Sequence, residues 1–362
     1  MNKNIFILMN NFNPGGAEKF LIGLSNYLNI KNYNVTLVVL NENGILKDDI
    51  DKSIEIINIK KTKFIFSIFN IVELCKKNKP DYFITSLPHF NIGILLLKKF
   101  FKLNTRVIIR EANVVNLKYS NQKLKDIFFI FMKNFFYKYA FAIVAVTNSI
   151  KLNMLNYQRI KCDSIKVIYN PIFNLNNKNL ENLKIENFLD LHENFVNILS
   201  IGRLVHQKDF KNLINAISRI SNKINLRLIL IGNGSLKKNL INQSKKLNLE
   251  NNIKFYDQAK PIEIQSLLKK CDLFVCSSLW EGVPNVLVEA LKAQIPIVST
   301  DFDSAYELLS DSTSFRISKK NDSKDLSNKI LEMLQFKKNK NSNNMWKKFS
   351  FKNYQKYEEI IK

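Results

Sequence analysis

The sequence predicts an α/β protein built as two doubly wound, Rossmann-like domains facing a cleft. Three observations predict it. Short β-rich runs alternate with amphipathic helical stretches along the 362-residue chain, the pattern of parallel sheets covered by helices. The alternation breaks once, at Asn170-Pro171 and the Asn-, Lys- and Glu-rich stretch 174–194, and then starts afresh. The length suits two domains of ordinary size, each able to bury a core. Domain one is expected over 1–170, domain two over 171–340, and a closing basic helix without a strand partner over 341–362.

Element by element, the first strand is Ile5 to Met9, a five-residue apolar run ended by Asn10. Gly15 to Tyr27 reads as a helix, with Phe20, Leu21, Leu24 and then Leu28 on one face. Further strands are expected at Val35 to Leu40, Tyr82 to Thr85, Arg106 to Ile109, Ala142 to Val146 and Lys166 to Tyr169. The second series runs Val196 to Ser200, Leu226 to Ile231, Ile253 to Tyr256, Leu273 to Cys276 and Ile295 to Ser299, each followed by a helical segment. Ligands of such sheets bind outside the carboxyl ends of the strands.

The most informative stretch follows Leu273 to Ser277. It reads Ser278-Leu279-Trp280-Glu281-Gly282-Val283-Pro284-Asn285-Val286-Leu287-Val288-Glu289-Ala290. Paired glutamates are common on solvated helices, but a Gly/Pro loop between a strand and a helix start is not an ordinary helix face. Free N–H groups at a helix N-terminus, with the helix dipole, favour a phosphate. The carboxylates of Glu281 and Glu289 repel phosphate and instead accept from hydroxyls. A phosphate ringed by hydroxyls describes a nucleotide sugar.

This stretch resembles the Glu-x7-Glu signature of retaining, nucleotide-sugar-dependent glycosyltransferases of the GT-B fold, the large group called family 4. Other segments are similar to that family's elements. Gly202-Arg203-Leu204 with Lys208 closes the first strand of the second series. There a glycine permits a close approach, Arg203 offers a planar fork and Lys208 a point charge for a diphosphate. Such cations stabilise the charge that grows on the leaving diphosphate, so no metal and no cofactor is expected. Gly232-Asn233-Gly234 resembles the turn near the nucleoside, and Gly15-Gly16-Ala17-Glu18 the family's first helix entry. At Tyr256 to Pro261 the chain departs from the family by lacking a glycine, which leaves the base, UDP against GDP, open.

The resemblance implies roles. Glu289 accepts from ribose hydroxyls, and Glu281 from hydroxyls of the donor sugar. Gly282, Val283, Pro284, Asn285 and Val286 hold phosphate or sugar oxygens, and Gly15, Gly16, Gly202 and Gly234 shape the donor site. His89, in Ser86-Leu87-Pro88-His89-Phe90, lies near the donor sugar and the acceptor; a purely structural loop histidine is the competing reading, and His206 is a lesser candidate. Arg110 and Glu111, at the end of a strand, are expected to shape the acceptor pocket. The catalytic set is then Glu281, His89, Arg203 and Lys208, and the closing helix is expected to cross back to the first domain. The implied reaction moves a hexose or N-acetylhexosamine from a nucleotide sugar, UDP favoured, to a lipid-linked glycan or oligosaccharide of the cell envelope. The alternatives are a UDP-sugar 2-epimerase of related fold, or a non-catalytic basic module binding a membrane or nucleic acid.

Composition narrows the partners. With 46% hydrophobic residues the chain is globular rather than disordered. Its net charge of +24 points to polyanions. No zinc-finger spacing or RNA-binding aromatic motif is present, which sets nucleic acid behind a phosphate-bearing substrate or an anionic membrane. Residues 1–170 hold 25 Lys+Arg against 11 Asp+Glu, and the remaining 192 hold 30 against 20, so the first half is the denser in net positive charge. Residues 118–139 interleave lysines with aromatics, Asp126 being the sole acid. Either this segment meets an anionic lipid interface, or one aromatic face packs on the sheet while the lysines stay wet. Cys75, Cys162, Cys271 and Cys276 show no metal-ligand spacing and suit a reduced compartment. No signal-peptide core and no spanning run is seen. The expected location is cytoplasmic, peripheral on the inner face of the membrane.

Overall fold

The computed structural model describes residues 3–13, 15–114, 117, 123–160, 165–171, 194–310, 314–335 and 345–362. The chain separates into two compact units, Met1–Pro171 with Ser350–Lys362, and Ile172–Phe349. The polar stretch 174–194 and Cys162 lie outside the described residues, apart from Asn194.

Unit 1 carries seven strands, all parallel: β1 Asn4–Met9, β2 Asn34–Val39, β3 Glu55–Asn58, β4 Tyr82–Thr85, β5 Arg106–Glu111, β6 Ala142–Ala145 and β7 Ile165–Val167. Their order is β3-β2-β1-β4-β5-β6-β7. The central strands are continuous apolar runs because both faces of a parallel sheet are covered; Ile5 to Met9 are all buried. The covering helices are α1 Gly16–Ile30, α2 Ile68–Asn78, α3 Pro88–Phe100, α4 Lys123–Phe136 and the short α5 Asn148–Leu152. Order reverses between β1 and β4, the point where such sheets open a crevice at the strand ends.

Unit 2 repeats the plan with six parallel strands: β8 Val196–Ile201, β9 Leu226–Ile231, β10 Ile253–Tyr256, β11 Leu273–Cys276, β12 Ile297–Thr300 and β13 Phe315–Ser318. The order is β10-β9-β8-β11-β12-β13, reversing between β8 and β11. The helices are α6 Phe210–Ser218, α7 Lys237–Lys246, α8 Pro261–Lys270, α9 Asn285–Ala293, α10 Ala305–Leu309 and α11 Ser323–Gln335. Leu213, Ile214 and Ile217 of α6 fill the core against Leu228, Leu230 and Leu326.

The chain closes in unit 1 with α12, Asn353–Ile361. Tyr354 and Tyr357 lie 5.6 and 5.3 Å from the Phe20 ring of α1, and Asn353 donates to the Tyr169 carbonyl (3.0 Å). The helix expected from about 340 is thus shorter. Met345–Phe349 is instead a 3-10 turn belonging to unit 2, where the Lys292 ammonium sits 6.0 Å from the Trp346 ring.

Helix α4 departs from the second of the two readings of 118–139, in which aromatics pack inside and lysines stay wet. It buries Lys133 and Phe136 and leaves Leu124, Ile127, Phe128, Phe131 and Phe135 exposed. Phe129 and Ile130 are half-buried and Lys123 and Lys125 exposed, so the helix carries an inward face with one lysine in it and a second apolar strip at the surface. Lys118 and Tyr119 lie outside the described residues.

Candidate functional site

The β8/β11 reversal in unit 2 is where the sequence motifs meet. The segment after β8, Gly202 to Asp209, runs beside the loop after β11, Ser277 to Pro284, and hydrogen bonds lace the two. Ser277 Oγ donates to the Lys208 carbonyl (2.7 Å), Leu279 N–H to the Gln207 carbonyl (2.8 Å), and Gln207 Nε2 to the Trp280 carbonyl (2.8 Å). Across this lacing, Lys208 Nζ donates to Glu281 Oε1 at 2.5 Å. Ser278 Oγ donates to the same oxygen at 2.9 Å. Two motifs 73 residues apart therefore join in one ion pair.

Two glycines make this approach possible. The aliphatic stem of Lys208 crosses Gly202, where an added Cβ would sit 3.0 Å from Lys208 Cε. Gly232, at φ +154°, packs beneath; a Cβ there would lie 1.9 Å from the Gly202 carbonyl oxygen. The next turn follows the same strip: Leu204 N–H donates to Asn233 O, and Leu236 N–H to Leu204 O, both 2.9 Å, with Gly234 against the Leu204 carbonyl.

The electrostatics favour a charged pair. Burial alone would pull the Lys208 ammonium down, but Glu281 outweighs it and the pKa ends above the usual lysine value. Lys208 and Glu281 side chains are only 16% and 8% exposed, so their attraction is weakly screened. Arg203 is exposed beside them, tied to Gln207 Oε1 by one long contact of 3.4 Å. Helix α9 begins straight after the loop with Pro284 as N-cap, and its first-turn N–H groups add positive potential there. Val283, Asn285 and Val286 are half-buried at this rim, Gly282 and Pro284 are buried, and Glu289 is half-buried in the second turn of α9. The arrangement can hold an anion on Arg203, Lys208 and the α9 N-terminus, beside carboxylates able to accept from hydroxyls.

Several supporting residues carry no sequence motif. Ser304 Oγ donates to the Gly282 carbonyl (2.5 Å) and Thr300 Oγ1 to the Ser278 carbonyl (2.5 Å), fixing the loop from below. Buried hydroxyls just past an apolar strand are the only signal that could have found them. Asp209, next to Lys208, has its carboxyl pushed up to about 6 by burial. An Asp-x-Asp spacing, Asp301-Phe302-Asp303, does follow β12. Its Phe302 is buried, and Asp301 accepts the Lys320 N–H (3.0 Å), which ties it to the segment after β13.

In unit 1, the residues expected after β1 and β4 flank that unit's own reversal point. Gly15 is the N-cap of α1 and Gly16 its first residue. A Cβ on Gly15 would lie 2.1 Å from Glu18 Oε2, so the Glu18 carboxylate folds over the helix start. A phosphate approaching there has to displace it. His89 is exposed in the first turn of α3, its ring 4.3 Å from Phe90. Desolvation and then nearby Lys125 hold its pKa below the usual value, so the imidazole is neutral at pH 7.

Arg110 and Glu111 correct the sequence reading. Strand β5 runs two residues beyond Ile109, and both side chains are 1% exposed. Arg110 donates to Ser86 Oγ and Asn170 Oδ1 (both 2.5 Å) and lies over the Phe20 ring at 4.2 Å. Glu111 accepts from Lys133 Nζ at 2.8 Å, from Asn91 Nδ2 at 3.1 Å and from the Tyr137 hydroxyl. Neither presents itself to an acceptor. Both are internal ties, because a buried charge persists only when its partners surround it.

Comparisons with known proteins show the family. Residues 182–353 match the family model described as Glycosyl transferases group 1, and residues 14–172 match that described as Glycosyltransferase Family 4. The chain is 34% identical over 276 residues to the uncharacterized glycosyltransferase MJ1059 of Methanocaldococcus jannaschii, covering 71% of this chain and 66% of that protein's length. It is 27% identical over 318 residues to the N-acetylgalactosamine-N,N'-diacetylbacillosaminyl-diphospho-undecaprenol 4-alpha-N-acetylgalactosaminyltransferase of Campylobacter jejuni, covering 84% of this chain and 83% of that one. Among solved structures, Anabaena Alr3699/HepE in complex with UDP and glucose superposes with a TM-score of 0.80 at 18% identity, over 99% of each chain. That last likeness establishes the shared fold.

Proposed function

The chain belongs to the group 1 glycosyltransferases and is a transferase of the EC 2.4 type, and from that premise we propose what it moves and to where. The donor is a nucleotide sugar, UDP-linked by preference, carrying a hexose or N-acetylhexosamine. The acceptor is a hydroxyl on a lipid-linked glycan that goes into a cell-envelope polysaccharide such as lipopolysaccharide, O-antigen or capsule. Transfer retains the anomeric configuration. The observation that carries this reading is the Lys208–Glu281 pair laid across Gly202. It sets a cation for a diphosphate and a carboxylate for a sugar hydroxyl within one hydrogen bond of each other. The printed substrate of the Campylobacter relative, a diphospho-undecaprenol-linked sugar, supports the acceptor class. The UDP and glucose bound by HepE support the donor class.

In the proposed reaction the acceptor oxygen bonds to the anomeric carbon on the face the diphosphate leaves. The bond from that carbon to the phosphate oxygen breaks, and the acceptor proton passes to a leaving phosphate oxygen. Arg203, Lys208 and the N–H groups at the start of α9 meet the charge that grows on the diphosphate, which stabilises the transition state more than the bound donor. Glu281 uses Oε2, the oxygen not held by Lys208, for a donor-sugar hydroxyl. Glu289 takes the ribose hydroxyls. For unit 1, taken by itself, Gly15 and Gly16 are proposed to receive a phosphate oxygen, and neutral His89 to hydrogen-bond a sugar hydroxyl. The exposed apolar residues of α4, with Lys123 and Lys125, support a peripheral place on the inner face of the cytoplasmic membrane. Among the described residues, no helix is long and apolar enough to cross a membrane.

The test is transfer by purified enzyme from a panel of nucleotide sugars to undecaprenyl-diphosphate-linked acceptors. Wild type should transfer from a UDP-sugar and keep its rate in EDTA. Arg203→Ala should lose about 10²-fold in kcat. A rate near wild type for Arg203→Ala would remove it from the site, and loss of transfer in EDTA would restore a metal. Epimerised product without any acceptor would replace transfer by the 2-epimerase reading.

A further inference from the structure

A second surface in unit 1 has the same chemistry as the outer face of α4, and no sequence motif marks it. Between β3 and α2 the chain makes a 3-10 turn, Phe64–Ser67. Ile65, Phe66 and Phe69 of the turn and first helical residues are 67%, 61% and 81% exposed. With Lys60, Lys61 and Thr62 they line an open hollow of about 460 Å³. Three large apolar side chains standing in water together are costly, and such patches mark contacts. Lys60, Lys61 and Lys63 are all exposed around them. Glu42, whose carboxylate feels Lys60, is taken by Lys47 at 2.5 Å. The corner is therefore apolar in the middle and positive at its edge, which suits acyl chains beneath anionic headgroups.

This corner is joined to α4 through α3. Phe64 packs at a tilt against Phe90 of α3, ring centres 5.3 Å apart, and covers Gly93, where an added Cβ would be 2.0 Å from Phe64 Cε1. Helix α3 also packs against α4. His89, at the start of α3, packs its ring on Phe90, the residue that meets Phe64 of the corner.

We propose that the corner Lys60–Phe69 is a second contact with an anionic lipid bilayer, so that unit 1 rests on two feet, Ile65/Phe66/Phe69 and Leu124/Phe128/Phe131. The inference rests on the peripheral-membrane reading above and adds to it. One foot would leave unit 1 free to pivot on the surface. Two feet fix which edge faces the lipid, and they bring the start of α3 to the headgroup level, where the glycan of a lipid-linked acceptor begins.

The experiment uses the full chain and sedimentation with vesicles of mixed phosphatidylglycerol and phosphatidylcholine, against vesicles of phosphatidylcholine alone. Wild type, Phe66→Ser/Phe69→Ser and Phe128→Ser/Phe131→Ser are compared, with thermal melting as a check on folding. All four side chains are exposed, so the variants should melt as wild type does. The expected result is salt-sensitive binding of wild type to anionic vesicles and a fall of roughly tenfold or more for each variant. Binding of the Phe66/Phe69 variant equal to wild type, with the Phe128/Phe131 variant weakened, overturns the second foot and leaves the peripheral reading standing. No binding of wild type, or equal binding to both kinds of vesicle, overturns both. A change in the solution mass of the Phe66/Phe69 variant without vesicles would make the corner a self-association surface and overturn the inference as well.

Discussion

Lys208→Ala should lower transfer by about 10²–10³-fold, most of it in kcat, because Lys208 meets charge that grows as the diphosphate departs. It should also destabilise unit 2. Glu281 would keep Ser278 as its partner but lose its cation, and a carboxylate that is 8% exposed cannot recover that loss from water. Breaking one side of such a pair costs about 3 kcal/mol. The two effects separate in Lys208→Met/Glu281→Gln, where no lone charge is left. That double variant should melt close to wild type while transfer stays lost. Lys208→Arg should not rescue activity, since the planar guanidinium cannot follow the narrow path over Gly202, where the lysine stem already lies at contact. A Lys208→Ala enzyme with kcat near wild type would show that the pair is a structural tie only.

The second large effect falls on stability. Lys133→Met should destabilise unit 1 by about 3–5 kcal/mol, lowering its melting temperature by on the order of 10 °C. Lys133 and Glu111 are each 1% exposed and 2.8 Å apart. Removing the ammonium strands a buried carboxylate that also holds Asn91 and Tyr137. Adding Glu111→Gln should return much of the loss, since a neutral amide can keep the Asn91 and Tyr137 contacts. Calorimetry on the single and double variants reads this directly. A single variant that melts like wild type would mean that water reaches Glu111, and would reopen its reading as an acceptor contact.

These two cases also show where the sequence was readable. Tyr82–Thr85, Leu226–Ile231 and Leu273–Cys276 have the bounds expected of them, because a run buried on both faces ends sharply where polar residues begin; the half-buried edge strand Ile253–Tyr256 has its expected bounds too. Strands β3 and β13 escaped: each is a four-residue edge strand, and the charged Glu55 and Arg316 within them mask the pattern. Arg110-Glu111 read as the end of a strand facing an acceptor, since charged residues at a strand's carboxyl end ordinarily meet a ligand. Their partners lie in α1, α3, α4 with the turn after it, and the residues before Pro171, and no local spacing reports such distant neighbours. Lys133, alone among phenylalanines, was a usable hint that the segment carries a charge inward. On the donor side the motif residues were legible one by one. Their joining was not, since the Lys208–Glu281 bond depends on β8 and β11 being neighbours in the sheet. Ser278, Thr300 and Ser304, which hold the loop, look like any other small polar residues.

The account turns on unit 2 gripping a nucleoside diphosphate through Lys208. Isothermal titration of UDP into wild type and into Lys208→Ala measures this without knowledge of the sugar or the acceptor. The account predicts one UDP bound per wild-type chain, and affinity weaker by about tenfold or more in the variant. Equal affinity in the two proteins, or no binding of UDP or GDP to wild type, would contradict it.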